Sequence, residues 1–165
     1  MNKLIEPLLT ILASGITAAV VAHVLTSRRE ELLFIRQKLE DLHLALHRYT
    51  ISISTSFLPF LSAMAGELDY NQANDMLIQG ADKCDKDAFP TVERLIGIYF
   101  PDLEPEMKSI LASRDRLNQL KHDFKKDCEH GPTSKGPWLE PFRAELIRSG
   151  ELAEELKRKI VLHPI

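Results

Sequence analysis

The chain has 165 residues, 44% hydrophobic and 27% charged, a composition that fits one compact domain and excludes a disordered solvating tail. Twenty-one Lys and Arg against 24 Asp and Glu leave a net charge of -3, so no basic surplus exists to neutralise a phosphate backbone, and no nucleic-acid partner is expected. Cys84 and Cys128 lie far apart and outside any Cys-x-x-Cys spacing, which excludes a disulfide framework and a thiolate zinc site and suits a reducing compartment.

The first element is apolar on every face. No charged residue occurs between Pro7 and Ser27, and Leu8 to Thr26 is rich in Leu, Ile, Val and Ala. About 20 such residues span the hydrocarbon of a bilayer as a helix, and residues 1–27 are therefore read as a single-pass transmembrane anchor. A cleaved signal peptide is the competing reading, since Val20-Val21-Ala22 offers small residues at a cleavage spacing. It is opposed by the weak basic start, Lys3 offset by Glu6, and by the continuation of the apolar run through Val24 and Leu25. Arg28 and Arg29 come directly after the run, with Arg36 and Lys38 beyond. Positive flanks stay inside, so the N-terminus is expected outside and the C-terminal domain in the cytoplasm. Ser14, Ala18 and Ala22 repeat every four residues, as do Gly15 and Ala19, and small residues in such lines allow close helix approach in lipid. His23 at the cytoplasmic edge is read as reaching the headgroups.

Past the anchor the helix is predicted to continue, because no proline lies between Leu8 and Leu58 and no glycine between Gly15 and Gly66. Leu32, Ile35, Leu39, Leu42, Leu46, Tyr49 and Ile53 follow a 3,4 spacing, the seam of a helix packed lengthwise against a partner. From about Leu39 onward the seam is expected to be covered by the chain's own later helices, leaving residues 28–38 as a stalk that could pair between protomers. The charge-free stretch Tyr49 to Gly66 contains Pro59 and several Ser and Thr, and is read as core-facing helix and not as a returning span.

Asp69 is placed to cap a helix over 71–79 that Gly80 closes, and 82–87 is a charged turn. Phe89 to Phe100 carries Val92, Leu95, Ile96 and Tyr99 at helical spacing before Pro101. Pro105 suits the first turn of a helix with the apolar face Met107, Ile110, Leu111, Leu117, Leu120 and Phe124. A loop from His130 to Gly136 leads to a last helix near Pro137, expected to bury Trp138, Phe142, Leu146, Leu152, Leu156 and Ile160. Short links between long amphipathic helices favour an antiparallel bundle. The fold class is thus all-α: a transmembrane helix (1–27) running into a long amphipathic helix, then a soluble antiparallel helical bundle, the cytoplasmic domain being 28–165.

Chemistry is sparse. Glu40, His43 and His47 lie at i, i+3 and i+7 and resemble half of the Glu-x-x-His arrangement of di-metal bundles, making them weak metal candidates. The only partial echo is Asp127-x-x-His130. Glu40 and His47 fall on the polar side of the seam, where a solvated face is the ordinary reading. Cys128 with Glu129 and His130, and Cys84 between Lys83 and Lys86, lack partners placed for nucleophilic catalysis, and no Gly-rich phosphate loop occurs. The expectation is a non-enzymatic, membrane-anchored interaction or sensor module without cofactor. Its expected partners are the lipid bilayer, a further copy through the anchor and stalk, and an unidentified protein. The alternatives are a self-assembling membrane effector of the bacterial defence or toxin type, and a metal or redox enzyme on a bundle scaffold.

Overall fold

A computed structural model describes residues 5–82, 84–129 and 137–164, and for 5–18 the helical backbone alone. These residues form α1 (Ile5–Met64), α2 (Tyr70–Ala81), α3 (Ala88–Tyr99), a 3-10 turn at Pro101–Leu103, α4 (Glu104–Glu129) and α5 (Leu139–Val161), and no strand occurs among them. The chain divides into two compact units between Lys38 and Leu39.

In the first unit every described side chain from Ala19 to Phe34 is exposed, including Val20, Val21, Val24, Leu25, Leu32 and Leu33, and Ile35 is half-buried. The Lys38 ammonium lies 5.4 Å from the centroid of the Phe34 ring one turn earlier. Among the described residues no helix is long and apolar enough to cross a membrane. The transmembrane reading rests on Leu8 to Thr26, and residues 8–18 of that stretch lie outside the described side chains. What is described of it, Ala19 to Thr26, makes only about two turns, well short of the ~20 residues a crossing requires.

The second unit is a bundle, and its pairings are given by named contacts. On α1, Tyr49 meets Arg114 and Phe57 meets Lys121, so α1 and α4 run in the same direction. Phe57 packs edge-on against Phe142 while Leu39 shares a hollow with Ile160, so α5 runs opposite to α1. α4 and α5 are antiparallel and closely packed: Glu106 pairs with Lys159, and the Trp138 indole N–H donates to Asp127 Oδ2 at 2.6 Å. Phe60 meets Tyr70, Thr55 meets Gly80 and Tyr49 meets Phe89, so α2 and α3 descend α1 one after the other. The result is an up-down-up-down arrangement whose second column is interrupted between Ala81 and Ala88. Leu42, Leu46, Phe60, Val92, Ile110, Leu117, Phe142 and Leu156 are fully buried at its centre. Sequestering each large side chain contributes roughly 1.5–3 kcal/mol.

Local chemistry sets the helix ends. Gly66 alone among the described residues has a positive φ, +79°. Its N–H bonds to the Ala63 carbonyl while that of Glu67 reaches back to Ser62, both at 3.0 Å. These two bonds satisfy the last carbonyls of α1 in the Schellman manner. Asp69 and Gln72 form a reciprocal capping box at the start of α2, with bonds of 2.8 and 2.9 Å.

Three expectations are corrected. Gly80 does not close α2, which runs to Ala81; a Cβ on Gly80 would lie 3.1 Å from the Thr55 methyl, so this glycine permits close approach to α1. On α5, Trp138, Leu146 and Leu152 are half-buried. Ser149 and Ala153 occupy the seam instead, because the closely packed α4 leaves room there for small side chains and moves the leucines to the flanks. On α4, Leu111 is half-buried for the same geometric reason, and Ser113 is buried, its hydroxyl donating to Glu145 Oε1 at 2.5 Å.

Candidate functional site: a cationic groove between three helices

Arg114, Asn118 and Lys121 lie at i, i+4 and i+7 on α4, a spacing that aligns them on one face beside the buried line Ile110, Leu117 and Leu120. They form one wall of a groove of about 270 Å³. The opposite wall comes from α1, with Tyr49, Ser52, Ile53, Ser56 and Phe57, and Leu77 of α2 completes it.

The two cations of the groove differ in how they are compensated. Arg114 gives Nε and Nη2 to Asp115 Oδ1 at 3.2 and 3.0 Å, gives Nη1 to the Tyr49 hydroxyl at 3.3 Å, and stacks 5.6 Å from the Phe89 centroid. Its charge is matched. Lys121 has aromatic faces only: its Nζ stands 5.2 Å from the centroid of Phe60 and 5.8 Å from that of Phe57, and no carboxylate pairs with it among the described residues. Cation–π contacts offset part of the desolvation of an ammonium and supply no counter-charge. Burial accordingly pushes the Lys121 pKa down.

The remaining polar groups are mixed in character. Burial raises the Tyr49 phenol, against the opposing influence of Arg114, so at neutral pH it is an O–H donor. Ser52 and Ser56 commit their hydroxyl hydrogens to the carbonyls of Arg48 and Ser52, at 3.1 and 2.8 Å. The groove is thus one uncompensated ammonium, a neutral phenol and the Asn118 amide, set against apolar Ile53, Phe57 and Leu77. A second hollow of about 310 Å³ between α4 and α5 differs from it in holding a carboxylate, Glu145, which stands among Ser113, Arg116 and Arg148 and lies 4.0 Å from the Arg148 guanidinium.

Of the sequence-predicted residues, Tyr49 and Ile53 of the seam line the groove, and the others fall elsewhere. Leu39, Leu42, Leu46, Tyr49 and Ile53 of the seam are buried, Ile35 is half-buried and Leu32 is exposed. Glu40 and His47 are exposed and His43 half-buried; Leu39, Glu40 and His43 line a shallow hollow with Ile160 and Val161. Glu154 of α5 is close enough for both imidazoles to influence it. Its carboxylate is held low chiefly by the bond from Lys157 at 2.7 Å. No three His, Cys, Asp or Glu side chains gather as a metal site among the described residues. Cys84 and Cys128 are half-buried. Lys83, His130 and the rest of the loop to Gly136 lie outside the described residues, as do the side chains of Ser14, Gly15 and Ala18, while Ala19 and Ala22 are exposed. Apart from Tyr49 and Ile53, the groove has no counterpart among the sequence-predicted sites. Its one sequence signal is Arg114, Asn118 and Lys121 along the flank of an apolar helix face, which reads as an ordinary solvated edge until α1 and α2 are set against it.

Comparison with protein-family models, with curated proteins and with solved structures yields no match to this chain.

Proposed function

We propose that the chain is a membrane-anchored, non-enzymatic helical module, in which the apolar N-terminal helix holds the bilayer and the bundle from Leu39 onward engages a partner in the cytoplasm. The observation that carries the reading is the charge-free run of residues 8–26, rich in Leu, Ile, Val and Ala. In the part of that stretch that is described, Val20, Val21, Val24 and Leu25 stand between 46% and 63% exposed. Contiguous exposed apolar surface in water is unfavourable and marks an interaction site, and a helix apolar all round finds its match in lipid. Arg28 and Arg29 bias the chain on their C-terminal side toward the cytoplasm.

Alkaline carbonate extraction tests the anchor. The full-length chain should stay in the membrane pellet and a chain beginning at Arg28 should wash free; full-length protein in the wash removes the anchor from the reading. Labelling of Cys84 and Cys128 with an impermeant thiol reagent tests orientation, and protection in intact cells is the expected result.

A second reading, a self-assembling membrane effector, is favoured by the small-residue lines, of which Ala19 and Ala22 are exposed on the helix. Induction should then depolarise the membrane, and Gly15→Leu should abolish the effect by blocking close helix approach. The module reading expects no depolarisation, because a span with few polar groups lines a water path poorly.

A further inference from the structure

From the groove between α1, α2 and α4 we infer a ligand site for a small monocarboxylate with an apolar or aromatic body, whose carboxylate pairs with Lys121 and whose body lies on Phe57, Ile53 and Leu77. The assignment stands on the bundle alone and does not depend on the membrane anchor.

Charge counting selects the class of ligand. Arg114 is neutralised by Asp115, which leaves the groove with a single positive charge at Lys121. One negative charge balances it, whereas a phosphate dianion would bring a second into a partly buried site with no cation to meet it. The donors agree. Three N–H bonds of Lys121 and the amide of Asn118 are uncommitted among the described residues, while Ser52 and Ser56 have already given their hydroxyl hydrogens to backbone carbonyls. A carboxylate accepts at two oxygens and donates at none, so it matches a wall that offers donors. A neutral amide or alcohol would leave the ammonium unpaired. The volume, about 270 Å³, lies just below the roughly 300–1,000 Å³ of pockets for drug-sized ligands, so the occupant is small.

An unpaired, half-buried ammonium against two aromatic rings is a local conflict that costs stability and that Met at the same position would relieve. Such conflicts concentrate where a ligand resolves them.

Benzoate is the probe, with benzamide as the neutral analogue of the same shape. Full-length protein, kept in one detergent throughout, is titrated with each by saturation-transfer NMR at constant ionic strength. Benzoate should bind saturably and at least about tenfold more tightly than benzamide, the discrimination expected of one charge-assisted hydrogen-bonded pair. Lys121→Met should weaken benzoate by a similar factor while leaving the melting temperature equal or higher. Benzoate and benzamide binding alike overturns the assignment on wild-type protein alone, whatever the variant does. Unchanged benzoate affinity in Lys121→Met also overturns it. Inorganic phosphate displacing benzoate at benzoate's own concentration removes the apolar half of the proposal, because a bare anion site needs no Phe57.

Discussion

Two stretches of α1 share one spacing and differ in surroundings. Leu32 and Ile35 continue the same 3,4 seam as Leu39, Leu42 and Leu46, yet Leu32 is 49% exposed whereas Leu42 and Leu46 are 0% exposed. Periodicity fixes which residues share a face, and a neighbour is required to bury it. From Leu39 onward the neighbours are the later helices, α2 to α5, whose own apolar lines cannot remain in water; from Ala19 to Phe34 the described side chains are exposed.

The sharpest way to break this contrast is a carboxylate on the seam. Leu42→Asp places a charge where no partner or water can reach it and should cost about 4 kcal/mol or more, unfolding the bundle. Leu32→Asp should stay within about 0.5 kcal/mol of wild type as an exposed substitution. Urea denaturation followed by circular dichroism measures both. Equal losses would mean that Leu32 is buried by something in solution, and light scattering on wild type and Leu42→Asp then asks whether a second copy covers the seam. An oligomer that dissociates into folded monomers would assign the buried half of the seam to association between chains.

A smaller effect marks the C-terminal boundary of the buried half. Gly66→Ala forces a Cβ into the left-handed region that ends α1 and should lose about 1–2 kcal/mol, read from the shift in urea midpoint at unchanged slope.

Acid sensitivity extends the contrast to the far end of the bundle. The bond from Lys159 holds Glu106 below the ordinary carboxylate range, against burial and the nearby Asp102, so the unfolded chain takes up this proton at higher pH than the folded one. Stability from the pair is present above the unfolded carboxylate value and is lost as pH falls through the lower folded one. A denaturation midpoint that declines with acid from about pH 5 downward, less steeply in Glu106→Gln, is the expected result.

The smallest effect has the opposite sign. A Cβ on Gly97, exposed within α3, meets nothing within 4 Å, so Gly97→Ala should stabilise by up to about 1 kcal/mol through helix propensity. At Gly80 the same change meets the Thr55 methyl, and its gain should be smaller or reversed. The difference in melting temperature between the two variants measures how tightly α2 sits on α1.

The all-helical class, the 3,4 spacing from Leu32 to Ile53 and the cap at Asp69 were all legible in the order of residues. Each obeys short-range rules, the 3.6-residue repeat and the competition of Asp side chains for backbone N–H groups. The charge-free run of residues 7–27, on which the membrane proposal rests, was legible in the same way. Packing between helices set where along one helix burial begins, why Ser149 and Ala153 displace Leu146 and Leu152 from the seam, and that Gly80 is a point of close approach. It also brought Lys121 onto Phe57 and Phe60, and Arg114 onto Tyr49. Arg114 and Tyr49 are 65 positions apart, a separation that no local pattern spans. A groove walled by three helices has no signature in any one of them, because α1 contributes residues that read as core seam and α4 a flank that in isolation is indistinguishable from solvated surface.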